Sequence, residues 1–138
     1  MMKEITALIV LLALCIPALA VNMPDMVGNW TGTFNGVGWS KNTDYQTSGM
    51  ASYYEDKYTL AINEQNGTRF AGKIIRVSNP LATEVVLGVI DSDNQTIILV
   101  DEHGYMWGWM NSSTEMDLSY QTVDIDHMTV RDGIFTKE

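Results

Sequence analysis

Residues Tyr58 to Ile74 read Y-T-L-A-I-N-E-Q-N-G-T-R-F-A-G-K-I, and this stretch decides the fold class. Tyr58, Leu60 and Ile62 alternate with Thr59, Ala61 and Asn63, and Phe70, Gly72 and Ile74 alternate on the far side of Asn66-Gly67. A period of two on both sides of a tight Asn-Gly pair predicts a β-hairpin. The pair suits a type I′ turn, whose two central residues both need positive φ.

The same grammar runs outward in both directions. Eight strand-like segments are predicted. The first spans Gly28 to Val37, with Trp30, Gly32 and Phe34 on one face. The hairpin supplies the second and third, and Ser78-Asn79-Pro80 ends the third because proline has no N–H to give a ladder. Thr83 to Ile90, Gln95 to Asp101, Tyr105 to Met110, Met116 to Thr122 and Ile125 to Phe135 follow, the last with a bulge expected at Gly133. Gly38 to Tyr53, rich in Ser, Thr, Asn, Asp and Gly, reads as a lid or large loop.

Short connections make consecutive strands antiparallel neighbours. Eight such strands leave two open edges unless the last pairs with the first, so the expectation is an all-β, eight-stranded antiparallel up-and-down barrel. A two-sheet sandwich is the alternative, but it needs a long crossover that the sequence offers only before the second strand.

Ile5 to Ala20 is apolar and ends in Ala18-Leu19-Ala20, which reads as a signal peptide over 1–20 followed by a single barrel domain over 21–138. An uncleaved anchor is the minority reading, because the run is short for a membrane span and Pro17 interrupts it. Cys15, the one cysteine, lies inside this leader, and Leu14 before it is larger than a lipidation signal usually carries. The mature chain then has no disulfide, and its core alone must hold it.

The net charge is −9, and loss of Lys3 together with Glu4 leaves it unchanged. Nucleic acid and anionic membrane surfaces are therefore disfavoured as partners, since both need clustered Lys and Arg. Secretion and extracellular solubility fit the acidity.

Gly28-Asn29-Trp30 near the start and Arg131 near the end resemble the lipocalin and calycin arrangement, in which a first-strand G-x-W tryptophan packs against a last-strand arginine. The pattern G-N-W-T-G at Gly28 to Gly32, E-Q-N-G-T-R-F-A-G at Glu64 to Gly72, G-V-I-D-S-D at Gly88 to Asp93 and I-D-H-M-T-V-R at Ile125 to Arg131 is similar to small secreted proteins of methanogenic archaea without assigned function. The resemblance implies a calycin-like barrel and a structural Trp30–Arg131 stack. It implies no activity, and the long stretch before the second strand departs from the avidin branch, so biotin is not expected.

Tyr105, Trp107 and Trp109 carry the functional expectation. Alternation puts their rings on one face of the sixth strand, with Met106, Gly108 and Met110 on the other. Facing inward, the rings would line an apolar cavity together with Met116, Leu118 or Tyr120; facing outward, they would form a binding patch or a dimer seam. The candidate ligand-binding residues are thus Tyr105, Trp107, Trp109 and Tyr120, and the ligand class is a small apolar or aromatic molecule, or a protein partner.

Catalytic and metal motifs are thin. Asp91-Ser92-Asp93 has Thr96 where a calcium loop needs glycine, so a hairpin turn is expected there. Asp101-Glu102-His103 and Asp124-Ile125-Asp126-His127 lack repeated metal-ligand spacing, and no nucleophile or zinc motif occurs. No catalytic residue, metal or cofactor is assigned. Asn29, Asn66, Asn94 and Asn111 open glycosylation sequons, three of them at predicted turns. A secreted binding module is the first reading, an envelope adhesion or protein-interaction module the second, and a barrel enzyme the third.

Overall fold

The computed structural model describes residues 22–41 and 51–138. They form β1 (Gly28–Ser40), β2 (Ser52–Asn66), β3 (Arg69–Arg76), β4 (Asn79–Ile90), β5 (Thr96–Val100), β6 (Tyr105–Ser112), β7 (Glu115–Val123) and β8 (His127–Lys137). Each strand pairs antiparallel with its chain neighbour, and β1 pairs with β8, so the sheet closes on itself. The up-and-down barrel expected from the turn spacing is the architecture found, and closure removes the two edges that an open meander would expose.

The founding hairpin differs from expectation at its tip. Asn66 pairs with Arg69, so the central residues are Gly67 and Thr68, and of these only Gly67 takes a positive φ, of 61°. That is the pattern of a II′ turn, which needs glycine at the first central position. A register shift between Ile62 and Glu64 accounts for the displacement: one extra residue in β2 lets Leu60, Ile62 and Phe70 all face inward.

Other boundaries moved for similar reasons. The expected large loop is strand at both ends, because β1 runs on through Trp39 to Ser40 and β2 begins at Ser52; its middle, 42–50, lies outside the described residues. Polar Tyr54 and Asp56 alternate with exposed Tyr53, Glu55 and Lys57, a pattern that composition hides. Asn79 and Pro80 begin β4 instead of ending β3; proline is tolerated at the start of a strand, beside the shift between Ile75 and Arg76. No bulge occurs at Gly133, which stays in register opposite Leu118. The leader expected over 1–20 lies outside the described residues.

The Asp91–Asn94 connection is a hairpin turn. The Asp93 carboxylate accepts the backbone N–H groups of Gln95 and Thr96 at 2.8 and 2.7 Å and the Thr96 hydroxyl at 2.6 Å. These bonds hold its pKa below the ordinary carboxylate value, the Thr96 hydroxyl contributing most.

Inside, the barrel is filled. Trp30, Phe34, Phe135, Met26, Leu60, Ile97, Leu99, Met106, Met116, Leu118 and Val86 are all fully buried. Phe34 is the hub of an aromatic cluster, with ring centroids 4.9 Å from Phe135, 5.5 Å from Tyr58 and 6.4 Å from Tyr120. Side chains fill the interior of small eight-stranded barrels, and the buried cluster here does the same.

One end is plugged by the segment before β1. Met26 is buried there, its backbone carbonyl accepts the Trp30 indole N–H at 2.8 Å, and its own N–H donates to the Gln65 side chain at 2.7 Å. Gln65 in turn donates to the Pro24 carbonyl at 3.0 Å. Among the described residues no buried side-chain nitrogen or oxygen at this end lacks a partner, as a dry closure requires.

Candidate functional site

The aromatic face of β6 points outward. Tyr105, Trp107 and Trp109 are 47, 41 and 45% exposed, whereas Met106 and Met110 on the opposite face are buried. Gly108 shows why the chain cannot turn the other way. It sits inward between the two tryptophans, and a Cβ there would lie 1.8 Å from the Asp117 carbonyl oxygen of β7. Only glycine permits that approach, and an indole in its place has no room.

The register extends the aromatic face across neighbouring strands. Trp107 stands opposite Ile98, which stands opposite Val89; Tyr105 stands opposite Val100, which stands opposite Leu87. Residues directly opposite on paired strands share a face, so these rows lie side by side on the outside of the barrel. Val85 continues the surface on β4. The two indoles pack on each other with centroids 5.6 Å apart and planes inclined at 45°. Together these eight residues expose on the order of 700 Å², beyond the roughly 300–600 Å² of the largest patch on a typical monomer.

A groove of about 570 Å³ crosses the same surface, lined by Ala71, Leu87, Val89, Ile98 and Val100, with Glu64 and Arg69 at its margin. Acidic groups surround the patch on three sides: Asp91 and Asp93 in the β4–β5 turn, Asp101 and Glu102 in the β5–β6 turn, and Asp117 opposite Trp109. Arg69 and Lys73 lie on the fourth, along β3.

Tyr120 does not join this face. It pairs with Met106, is buried, and points into the barrel with Met116 and Leu118. Opposite Tyr105, Trp107 and Trp109 stand Gln121, Ser119 and Asp117 instead. The four candidate ligand residues are thus divided, three outside and one inside. Register alone separates them, and the turn after β6 sets that register.

The Trp30–Arg131 stack is not formed. The ladder places Trp30 opposite Lys137 and Gly36 opposite Arg131, six residues away along β1, or roughly 20 Å at strand rise. A last-strand cation does lie against the indole, but it is Lys137, whose Nζ is 5.4 Å from the ring centroid and donates to the Asp25 carbonyl at 2.8 Å. Arg131 lies instead over Tyr120, with Cζ 4.1 Å from that centroid. It belongs to the other half of the barrel.

Nothing in the sequence flagged Tyr58, Arg76 or Glu84 as partners of Arg131 and Tyr120. Arg131 Nη1 donates to the Tyr58 hydroxyl at 2.6 Å, and Arg76 Nε donates to the same oxygen at 3.0 Å. Burial, and next the charge of Asp101, push the Tyr120 phenol up to about 12. That hydroxyl stays neutral at physiological pH and points at Asp101 Oδ1, 3.5 Å away. The one signal available was alternation in β2, which puts Tyr58 on the core face.

The Asp101–His103 and Asp124–His127 groups lie in turns. Asp101 Oδ1 accepts the backbone N–H groups of His103 and Gly104 at 2.9 and 2.7 Å, and Asp124 lies 3.9 Å from His127. Among the described residues no group of three or more His, Cys, Asp and Glu is placed to hold a metal ion. Of the sequon asparagines, Asn29 lies within β1 opposite Ala61, and Asn111 donates to Glu115 at 3.1 Å. Comparison with family models, curated proteins and solved structures returns no match to this chain.

Proposed function

We propose that this chain is a secreted binding module that holds a partner polypeptide on the outside of its barrel, over the β4–β6 face. The observation that carries this reading is the outward row of Tyr105, Trp107 and Trp109, continuous with Val85, Leu87, Val89, Ile98 and Val100. Its exposed area, on the order of 700 Å², approaches the ~800 Å² that each partner contributes to a standard interface, and it is rich in the aromatic anchors that dominate such contacts. The partner chemistry follows from the rim. An apolar centre bordered on three sides by Asp91, Asp93, Asp101, Glu102 and Asp117, and on the fourth by Arg69 and Lys73, complements a partner whose apolar centre carries mainly basic groups. A second copy carries the same acidic rim and is disfavoured.

The apolar leader-like run over Ile5 to Ala20 supports secretion. The eight-stranded antiparallel barrel is compatible with a calycin-like fold, but a ligand inside it finds the space occupied by Trp30, Phe34 and Phe135. A small apolar ligand is better accommodated in the surface groove beside Leu87 and Ile98. An enzyme reading would draw support from a buried Asp or Glu, and among the described residues the buried polar side chain is Thr122.

The test uses an alternating Leu-Lys peptide and its Leu-Glu counterpart as probes, followed by tryptophan emission and calorimetry. Wild type is expected to bind the basic peptide at least about tenfold more tightly than the acidic one, and Trp107→Ser with Trp109→Ser to abolish the difference. Equal affinity for both peptides, or binding that survives the double substitution, overturns the reading. Concentration-dependent dimerisation lost in the double variant would replace the foreign partner with a second copy.

A further inference from the structure

The half of the barrel away from Trp30 ends in a cleft of about 140 Å³ lined by Tyr58, Ile74, Arg76, Ala82, Glu84, Asp101 and Arg131. Two of its charges are accounted for within the chain. Arg76 lies 3.7 Å from Asp56, and Asp101 is tied to the backbone of its own turn.

The other two form no ion pair among the described residues. Arg131 makes no salt bridge among the described residues; its Nη1 donates to the Tyr58 hydroxyl, its guanidinium also meets the Tyr120 hydroxyl, and its buried Nε has no acceptor among those residues. Glu84 lines the cleft without a salt bridge among the described residues, its charge acting on His103 in the β5–β6 turn. A guanidinium presents five N–H donors in a fixed fork suited to a carboxylate. An anion alone would meet Glu84 and Asp101 across the cleft, and a cation alone would meet Arg131 and Arg76.

We infer that this cleft binds a small zwitterion of the amino-acid type, its carboxylate on Arg131 and its ammonium on Glu84. Size agrees with this assignment. At about 30 Å³ for each water, the cleft holds the equivalent of four to five waters, which is about the five non-hydrogen atoms of glycine. The rigidity of the wall agrees too: Arg131 is clamped between Tyr120, 4.1 Å from Cζ, and Tyr58, 5.2 Å from it, so its fork is oriented before a ligand arrives. The assignment does not rest on the outer β4–β6 rings, which point the other way; Asp101 alone is common to the rim of that face and the cleft.

The experiment is an NMR titration of the full barrel at low salt, reading the Arg131 Nε–H resonance, with glycine, acetate and methylammonium as probes. Glycine is expected to give saturable shifts, and acetate and methylammonium to bind at least about tenfold more weakly, since each leaves one charge unpaired. Glu84→Gln, at the cleft margin, is expected to weaken glycine about tenfold while leaving acetate no weaker. Arg131→Gln should abolish saturable binding; if that variant fails to fold, the probe order and Glu84→Gln still decide. Absence of saturation with glycine, acetate binding as tight as glycine in wild type, or indifference to Glu84→Gln overturns the assignment. Trp107→Ser with Trp109→Ser should leave glycine binding unchanged, so failure of the outer-face reading is distinguishable from failure of this one.

Discussion

The two halves of the barrel solve one problem with opposite chemistry. Around Trp30 the end is sealed by chain: Met26 drops in, the indole N–H meets the Met26 carbonyl, and Gln65 binds the segment before β1. Around Arg131 charge rests on rings, with one guanidinium over Tyr120, a second on Tyr58, and a buried Nε without an acceptor among the described residues. The first end is complete, and its residues serve stability. The second leaves the Arg131 Nε without an acceptor among the described residues, and stability alone does not account for it.

The largest expected effect tests the sealed end. Trp30→Ala removes a fully buried indole and leaves the Met26 carbonyl without its donor, so a loss of about 3–5 kcal/mol is expected in denaturant unfolding. A loss below about 1 kcal/mol would mean that the plug contributes little, and the contrast between the ends would collapse.

At the other end Tyr120 gives a pH signature. Its folded pKa of about 12 lies above the unfolded value of 10.0, so the neutral phenol is favoured by folding. The stability this confers is fully present below about pH 10 and is lost as pH rises through about 12. Phenolate absorbance should place one tyrosine titrating late, and Tyr120→Phe should flatten the fall in stability across that window. An unchanged slope would show that the ring is not held as described.

Arg131→Met sharpens the comparison from the other side. Losing the bond to Tyr58 and the contact with Tyr120 is offset by relief from desolvating a charge that has no counter-ion among the described residues, so stability is expected to stay within about 1 kcal/mol of wild type. A cost as large as that of Trp30→Ala would make Arg131 a plug like the other end. The smallest effect is expected outside the barrel. Trp107→Ser with Trp109→Ser removes exposed rings whose mutual contact is worth about 0.5–1.5 kcal/mol, and unfolding curves should shift by no more than that. Global unfolding of this variant would show the rings to be core after all.

Alternation and turn residues made strand number, antiparallel pairing and closure legible, because a period of two and a tight turn are local facts. Tyr105, Trp107 and Trp109 were legible as one face for the same reason. Which side that face took was not, since Met106, Gly108 and Met110 are equally apolar; the Gly108 approach to β7 decided it. Tyr120 was grouped with the wrong rings because cross-strand register is set by turn geometry and not by composition. Trp30 was matched to Arg131 instead of Lys137 on the same ground: both cations lie on β8, and only the ladder with β1 says which one meets the indole.

By itself, then, the sequence determined an eight-stranded antiparallel barrel with an aromatic stripe on its sixth strand, because hydrophobic alternation and turn chemistry act over a few residues. Tertiary structure alone decided that the stripe faces outward. It also brought Tyr58, Arg76, Glu84, Asp101 and Arg131 from different parts of the chain to one cleft. Side chains separated by as many as 73 positions meet there through the registers of a closed sheet, and no local pattern encodes the sum of those registers.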